Sequence, residues 1–396
     1  MNKRFIVIFA AVLASMISIA TFNPIIGLLA RSLGLSEVQS GSLVTVTGIC
    51  WILGSFLWSR WGKGRRKTVM LIAMTGYVLT LTAFAYLADS AGLDSTDKTG
   101  LYLQLFAVRA IGGFFFGAIP ATAQGYLMEW TRADNRAAGM ALFGAANGLG
   151  FVLGPAMGAA LTPIGLTAPM YVSAALLAVM LIVIAVSIPS GETSGTVAAA
   201  GKLSALDPRI RLYLGIGLAL STVMIVLQVT CGIYMQDRLD IDAVKAARLI
   251  GIGLTTAGVI VVASQLLIGR FRRLKPPILL TIGLLALCSA FTLFLASPSW
   301  YIVVFVLFGI GIGFTMPGYM TGASLAVDDG EQGALAAFTA AAQGVGSFIG
   351  PLAGTILYSL HIAIPYAVCA VLIVLFLAGT VFGRKGAKAG STVHSR

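Results

Sequence analysis

One charged residue lies far from any polar stretch of the chain. Arg109 sits in the apolar segment Leu105-Phe-Ala-Val-Arg-Ala-Ile-Gly-Gly113. A charge near the middle of a bilayer costs at least ~2.5–3.5 kcal/mol, so this side chain should face the interior of a helix bundle or water. Two roles are open for it. Either it hydrogen-bonds to carbonyls and amides of a neighbouring helix and holds the fold together, or it senses substrate or takes part in proton coupling.

The acidic residues, by contrast, all fall in predicted loops or at the ends of apolar runs. We therefore expect no carboxylate opposite Arg109, and a cavity that favours an anionic, zwitterionic or neutral substrate. Proton coupling would then have to use an acid at the end of a span. Glu129 and Asp237 are the nearest candidates, and each is also explained as a simple interfacial charge.

Uncharged polar and aromatic side chains on the spans expected to line a cavity complete the candidate binding site. Asn147 and Gln343 stand out because an internal repeat puts them at matching places in the two halves, where a midplane site would form. Buried amides need hydrogen-bond partners, so each residue is equally well explained as an inter-helix contact. The set is Asn23, Gln124, Tyr126, Asn147, Gln228, Tyr234, Tyr319 and Gln343.

The residue types needed for catalysis are not arranged for it. The four cysteines are scattered singly and the two histidines lie near a span end and in the tail. This is neither a metal-ligand spacing nor a disulfide framework. Bilayer enzymes need paired acids, a metal-binding set or a nucleophile with a base. The sequence therefore predicts no enzyme, no metal and no cofactor.

The repeat is clearest in two glycine-rich segments, 145–161 and 341–357. Both read Ala-Ala-amide-Gly-x-Gly-x-x-x-Gly-Pro-x-x-Gly. Glycine at small-xxx-small spacing allows close backbone approach in lipid, and an internal proline bends a helix. We interpret both as helix-packing surfaces that also serve as a pivot between two half-bundles. The residues are Gly150, Gly154, Pro155 and Gly158, and Gly346, Gly350, Pro351 and Gly354.

Composition identifies the elements that must position these residues. Hydrophobic residues make up 58% of the 396-residue chain and charged residues 10%, against about 25% charged in soluble domains. At about 20 residues per span there is room for about twelve helices. We place them at approximately 5–30, 39–59, 68–88, 100–128, 137–163, 166–188, 210–236, 244–268, 277–296, 301–327, 334–359 and 362–383.

These spans predict an all-α integral membrane protein of two pseudo-symmetric six-helix bundles. The N-terminal bundle is 1–188, a cytoplasmic linker is 189–208, the C-terminal bundle is 209–383 and a cytoplasmic tail is 384–396. The net charge of +12 comes from basic clusters in alternate loops. This is the positive-inside pattern, which places both termini in the cytoplasm and argues for membrane lipid rather than nucleic acid as the partner of the basic residues.

Two shorter matches occur in the same order in both halves. The loop 33–39 is echoed by 239–245, and the basic turn 59–67 by 269–275. With these matches the chain resembles the major facilitator superfamily over essentially its whole length. The basic turn is similar to the signature loop between the second and third spans. Its matching positions are Arg60, Gly62, Arg65 and Arg66, and Ser59 stands where the family has aspartate.

Two further motifs carry the resemblance. The segment around Arg109 is similar to the fourth-span motif with its embedded arginine, which supports a coupling or substrate role. Gly150 to Gly158 looks like the fifth-span motif of drug:proton antiporters, which favours export. In the family the basic loop latches onto neighbouring helix ends and stabilises the outward-open state. With Ser59 in place of aspartate, the resemblance implies a latch that is weakened or built differently, with Glu129 or Asp134 as a substitute.

The resemblance implies a secondary active transporter in a bacterial-type inner (plasma) membrane. We expect it to export a small organic molecule, either a drug-like compound or an endogenous metabolite such as a siderophore, by alternating access, as a monomer and coupled to protons. The alternative is import of an anionic metabolite or siderophore, with Arg109 holding a carboxylate. A membrane receptor without transport is a further alternative, although the chain has no run long enough for a soluble sensing domain.

Overall fold

The structure is a computed structural model that describes residues 3–61, 65–91, 97–130, 146, 149–150, 153–158, 160–188, 203–270, 275–328 and 331–391. These residues are almost entirely helical, and no β-strand occurs among them. Because a bilayer offers no water to satisfy backbone N–H and C=O groups, helices are the form that such apolar segments can take within it.

The first half of the chain contains six helical segments. They are α1 (Lys3–Ser32), α2 (Glu37–Trp61), α3 (Arg66–Ser90), α4 (Lys98–Trp130), α5 (described at 149–150, 153–158 and 160–161) and α6 (Ala168–Ser187). The second half follows the same order. Its helices are α7 (Arg211–Leu239), α8 (Ala243–Arg270), α9 (Pro276–Ala296), α10 (Tyr301–Ser324, preceded by the 3₁₀ turn Pro298–Trp300), α11 (Gln332–Leu360) and α12 (Ile364–Ser391).

Within the described residues, ten helices are long and apolar enough to cross a membrane, and the apolar part of α12, Ile364–Thr380, is shorter. Many large apolar side chains on these helices are exposed, among them Phe56, Leu79 and Val186. Water would penalise such a surface but lipid would not. The helices therefore present an exterior suited to the hydrocarbon core of a bilayer.

The contacts divide the chain into two compact units. The first unit contains residues 1–197 and 228–252, and the second contains 198–227 and 253–396. In the first unit α4 packs against α2 and α3, and α6 packs against α1 and α3. Gly113 and Gly117 of α4 allow the close approach of α2, because a Cβ at either position would lie less than 3 Å from α2 backbone atoms.

The second unit repeats part of this packing scheme. α9 packs against α10 and α12, as α3 packs against α4 and α6. The loops after α1 and α7 also agree, since Gly34 and Asp240 occupy equivalent positions in the repeated loop and have φ values of 70° and 52°. A left-handed residue commonly ends a helix, and aspartate is one of the few residues besides glycine that adopts this conformation. The duplication seen in the sequence is thus also present in the backbone.

Candidate functional site

Arg109 is buried in the first unit, with 4% of the residue exposed. Its guanidinium carbon lies 3.6 Å from the ring centroid of Phe22 in α1 and 5.9 Å from that of Phe84 in α3. Its Nε donates a long hydrogen bond of 3.5 Å to the backbone oxygen of Leu43 in α2. Three helices thus enclose the cation that α4 contributes, and cation–π attraction supplies part of its stabilisation.

Two hydroxyl groups lie beside this cation. The Tyr77 hydroxyl interacts electrostatically with the Arg109 guanidinium, and Ser18 lies next to Tyr77. Neither the Ser18 nor the Tyr77 hydroxyl makes a hydrogen bond of good geometry to any described residue. The ion pairs among the described residues do not include Arg109. Among the described residues, aromatic ring faces and uncharged oxygens therefore surround the positive charge, and no carboxylate pairs with it.

Asn23 and Gln228 are brought together in the first unit. The Asn23 side-chain amide donates to Gln228 Oε1 at 3.2 Å, and both residues are buried. Asn23 precedes Pro24, the proline inside α1, and Gln228 lies in the part of α7 that belongs to the first unit. The two amides therefore satisfy each other across the contact between α1 and α7.

In the second unit, Gln343 of α11 donates a hydrogen bond to the Tyr319 hydroxyl of α10. The Tyr319 ring is fully buried and lies against Gly217 of α7, where a Cβ would be 3.0 Å from the ring. A side chain at this position would press against the ring, so the glycine gives the ring the room that it occupies. The pair connects three helices of the second unit around one buried hydroxyl.

The other polar candidates lie apart from these pairs. Gln124 is half-buried, and the buried ring of Tyr126 lies 4.8 Å from that of Trp130. The Tyr234 ring is 6.0 Å from the guanidinium carbon of Arg238. Asn147 lies outside the described residues.

Each glycine stripe packs inside its own unit, against the first helix of its half. A Cβ added at Gly150 or Gly154 of α5 would come within 3 Å of α1, and the Gly154 carbonyl accepts a 3.0 Å hydrogen bond from Thr21 of α1. Gly346, Gly350 and Gly354 of α11 pack in the same way on α7. Gly158 also faces α1, and Pro155 and Pro351 are buried beside the stripes. The stripes therefore hold α5 to α1 and α11 to α7.

The basic turn between α2 and α3 contacts helix carbonyls. Arg66 donates to the backbone oxygen of Gly125 in α4 at 2.5 Å, and Lys67 to that of Ala185 in α6 at 2.8 Å. Arg60 and Arg65 are exposed. Gly62, Asp134 and the side chains of Ser59 and Glu129 lie outside the described residues. In the described part, this turn is thus attached to α4 and α6 through cation–carbonyl hydrogen bonds.

An ionic contact joins the segment before α7 to the start of α11. Arg209 donates to Asp207 at 2.9 Å and to Glu331 at 3.0 Å. Hydrogen bonds from the guanidinium lower the pKa of both carboxyl groups. Both acids therefore stay ionised at neutral pH, and the contact is lost as the pH falls through these lowered values.

A comparison with known families decides what this architecture is. The sequence profile described as Major Facilitator Superfamily matches residues 8–351. The chain belongs to the Major Facilitator Superfamily. It is thus an integral membrane protein with the fold of this superfamily, and it functions in secondary transport of small molecules.

Solved structures of superfamily members have the same fold. A D-xylose-proton symporter aligns with a TM-score of 0.73 and 15% identity over 96% of this chain and 97% of its own. The nucleoside transporter NupG aligns with a TM-score of 0.68 and 14% identity over 95% of this chain and 99% of its own. The human organic anion transporter MFSD10 aligns with a TM-score of 0.61 and 18% identity over 96% of this chain and 100% of its own. No curated protein sequence matches the chain. At these identities the likeness extends to the fold only.

The structure also shows contacts that the sequence did not indicate. Phe22 and Phe84 gave no signal of their own, because aromatic residues are common in membrane spans. Arg31, Glu37 and Asp237 form an ion-pair cluster at the end of the first unit opposite the basic turn. The sequence did hold a clue to this cluster, since Arg31 and Asp237 carry opposite charges just before the two copies of the repeated loop.

Proposed function

We propose that this superfamily member exports a small organic molecule that is anionic, zwitterionic or neutral, by proton-coupled alternating access. It would work as a monomer in a bacterial-type inner (plasma) membrane. Its two halves would be 1–188 and 209–383, joined by a cytoplasmic linker at 189–208 and followed by a cytoplasmic tail at 384–396. The alternation of basic loops supports cytoplasmic termini, and the likeness of Gly150 to Gly158 to the antiporter motif supports export.

The proposed substrate class rests on one observation: Arg109 is buried, and no carboxylate among the described residues pairs with it. The acids of the described helices lie in their first or last turns, as Glu37 in α2, Asp89 in α3 and Asp237 in α7 do. At an effective dielectric constant of about 20, a cation about 10 Å from Arg109 would be disfavoured by roughly 1.7 kcal/mol. An anion would be favoured by a similar amount.

This selection does not need direct contact. The Phe22 ring covers the guanidinium in the present structure, so a substrate would touch Arg109 only after α1 had shifted. The field of a charge that is poorly screened by its surroundings reaches beyond that ring. We therefore assign Arg109 the role of setting the charge preference of the transport path.

The test is transport by purified protein in proteoliposomes with an imposed pH gradient. Wild type, Arg109→Ala and Arg109→Lys would be compared on labelled salicylate, phenylalanine, uridine and ethidium, which differ in charge. We expect Arg109→Ala to lower the ratio of anion to cation transport roughly 200- to 300-fold, because the loss for the anion and the gain for the cation, each about 1.7 kcal/mol, add to roughly 3.4 kcal/mol. Arg109→Lys, which keeps the charge, should largely preserve the ratio.

Size-exclusion profiles of the detergent-solubilised variants would control for folding, and Arg109→Met, which is uncharged but closer to arginine in length, serves if Arg109→Ala is not recovered. An unchanged ratio in a folded Arg109→Ala protein would contradict the proposed role. The import alternative predicts raised accumulation of the transported compound in cells that carry the gene, whereas export predicts lowered accumulation.

A further inference from the structure

The first unit contains a continuous contact between the second half of α1 and residues 228–237 of α7. Asn23 pairs with Gln228 at one end of this contact. Further along, a Cβ at Gly27 would lie 3.0 Å from the Val229 oxygen, and one at Gly232 would lie 3.0 Å from the Leu28 side chain. The absence of side chains at these two glycines allows the helices to touch. We call this contact the α1–α7 seam.

An ion-pair cluster closes the seam at its outer end. Arg31 Nη1 donates to Asp237 Oδ1 at 2.6 Å and its Nη2 donates to Asp237 Oδ2 at 3.1 Å. The same Nη2 donates to Glu37 Oε1 at 2.9 Å. Arg31 therefore has one acidic partner across the seam, in α7, and another at the start of the adjacent helix α2. A bidentate arginine–carboxylate pair is the stronger and more directional of these two contacts.

The internal repeat shows where this cluster lies. Arg31 and Asp237 are 206 residues apart, the same offset that aligns Leu33 with Leu239 and the left-handed Gly34 with Asp240. Gly27 and Ile233 share this offset and also touch. The cluster therefore joins matching positions of the two copies of the repeat, just before the repeated loop.

We propose that Arg31, Asp237 and Glu37 form an ion-pair latch in which Arg31 holds the outer end of the α1–α7 seam shut through Asp237 and keeps Glu37 as its partner when the seam opens. This inference rests on the proposed alternating-access function. The outer end is the one opposite the basic turns, which the positive-inside pattern places outside the cytoplasm.

The two acids differ in what they stabilise. Asp237 contacts Arg31 only while α1 and α7 are together, so it favours the closed seam. Glu37 follows α1 by a short turn and stays beside Arg31 in either state. Of the two described acids that pair with Arg31 in the closed state, Glu37 is the one that stays in the open state, so its contribution is larger when the seam is open. The side chains of all three residues are about one-third exposed, at 31–32%, so each effect should be modest.

The latch can be tested without knowing the substrate. Leu28 is buried in the seam, just below the cluster. A Leu28→Cys variant, in a chain whose own cysteines are replaced by alanine, would be labelled on intact cells with a membrane-impermeant maleimide. The cysteines to replace are Cys50, Cys231, Cys288 and Cys369. The labelling rate reports how often the seam opens to the outside.

We expect Asp237→Asn to raise the labelling rate of Leu28→Cys roughly two- to fivefold, as for the loss of a partly exposed ion pair. Glu37→Gln should lower it, because the open state loses its remaining acidic partner. Arg31→Gln should raise the rate by less than Asp237→Asn does, because it also removes the Glu37 contact that favours the open seam, and adding Asp237→Asn to it should change nothing further. Asp242→Asn is the matched control, since it removes an acid that lies just before α8 and pairs with Lys245 in the first turn of that helix, at the same end.

Labelling of Thr99→Cys, an exposed position at the start of α4, corrects for differences in protein amount and reagent access. The proposal would be overturned by equal labelling in Asp237→Asn and the parent, or by a rate that rises in Glu37→Gln. Because no substrate is involved, an inactive protein whose labelling still responds would count against the proposed function alone. Transport without a labelling response would count against the latch alone.

Discussion

Arg109 illustrates how a single residue constrains this molecule. Its position in an apolar run was enough to predict that it faces the protein interior, because a charge on the lipid side would be costly. The structure places it against Phe22 and Phe84, whose rings lie 5.2 Å apart in an edge-on arrangement. The sequence did not reveal these partners, since they depend on the rotation of α1 and α3 about their axes.

We predict that Phe22→Leu destabilises the protein more than Phe84→Leu does. Both rings are almost fully buried, so the loss of apolar contact is similar, but Phe22 lies 3.6 Å from the Arg109 guanidinium carbon and Phe84 lies 5.9 Å from it. A desolvated cation–π contact contributes about 2 kcal/mol. Thermal unfolding of the purified variants in detergent measures the difference, and equal decreases in melting temperature would show that the Phe22 ring serves as packing alone.

The polar candidate residues show that residue type alone does not decide between a ligand contact and an inter-helix hydrogen bond. Sequence reasoning gave Asn23, Gln228, Tyr319 and Gln343 as either ligand contacts or inter-helix bonds. The structure pairs them as Asn23 with Gln228 and Gln343 with Tyr319. A binding role for any of them stays a prediction, and it would require these hydrogen bonds to exchange for bonds to a substrate.

At the scale of elements, apolar runs predicted the helices well and their ends less well. The fourth span was expected at 100–128, and α4 runs from Lys98 to Trp130. The last span was expected to end at 383, whereas α12 continues to Ser391. Helices extend past the apolar run because alanine, lysine and arginine, which make up five of the eight residues from 384 to 391, also form helix readily. The hydrophobic signal marks the lipid-embedded part, not the full helix.

The glycine stripes give a prediction with a control in the same helix. A Cβ at Gly346 of α11 would lie less than 3 Å from Leu218 and Ser221 of α7, whereas one at Gly344 meets nothing within 4 Å. Gly346→Ala should therefore force α11 away from α7 and cost about 1–3 kcal/mol. Gly344→Ala should be neutral or stabilising, because alanine is the better helix former.

Thermal unfolding again provides the measurement for this pair of variants. A melting temperature that falls for Gly346→Ala and not for Gly344→Ala would support the packing role of the stripe. If Gly346→Ala were as stable as the wild type, the α7–α11 contact would not depend on a bare backbone at that position.

For the whole molecule, the duplication was readable in the sequence and recurs in the packing of α3, α4 and α6 and of α9, α10 and α12. The placement of residues 228–252 with the first unit was not predicted. A transporter populates several conformations. Because the same sequence forms all of them, its pattern does not indicate which helix ends are in contact in any one conformation. The α1–α7 seam is a property of one such state.

The central claim is that transport requires the α1–α7 seam to open, and a reversible disulfide across the seam tests it most directly. In a chain without its native cysteines, Leu28→Cys and Gly232→Cys would be oxidised to a disulfide, since a Cβ at Gly232 lies 3.0 Å from Leu28 Cγ. The control is Val226→Cys with Gly354→Cys, a pair inside the second unit with a Cβ–Cβ distance of 3.4 Å. Both separations are close to what a disulfide needs.

Transport of whichever panel compound the unmodified protein carries would then be followed in proteoliposomes before and after reduction. Alternating access predicts that the seam disulfide abolishes transport and that a reductant restores it, while the control pair transports in both conditions. Transport at the wild-type rate through the cross-linked seam would contradict the account.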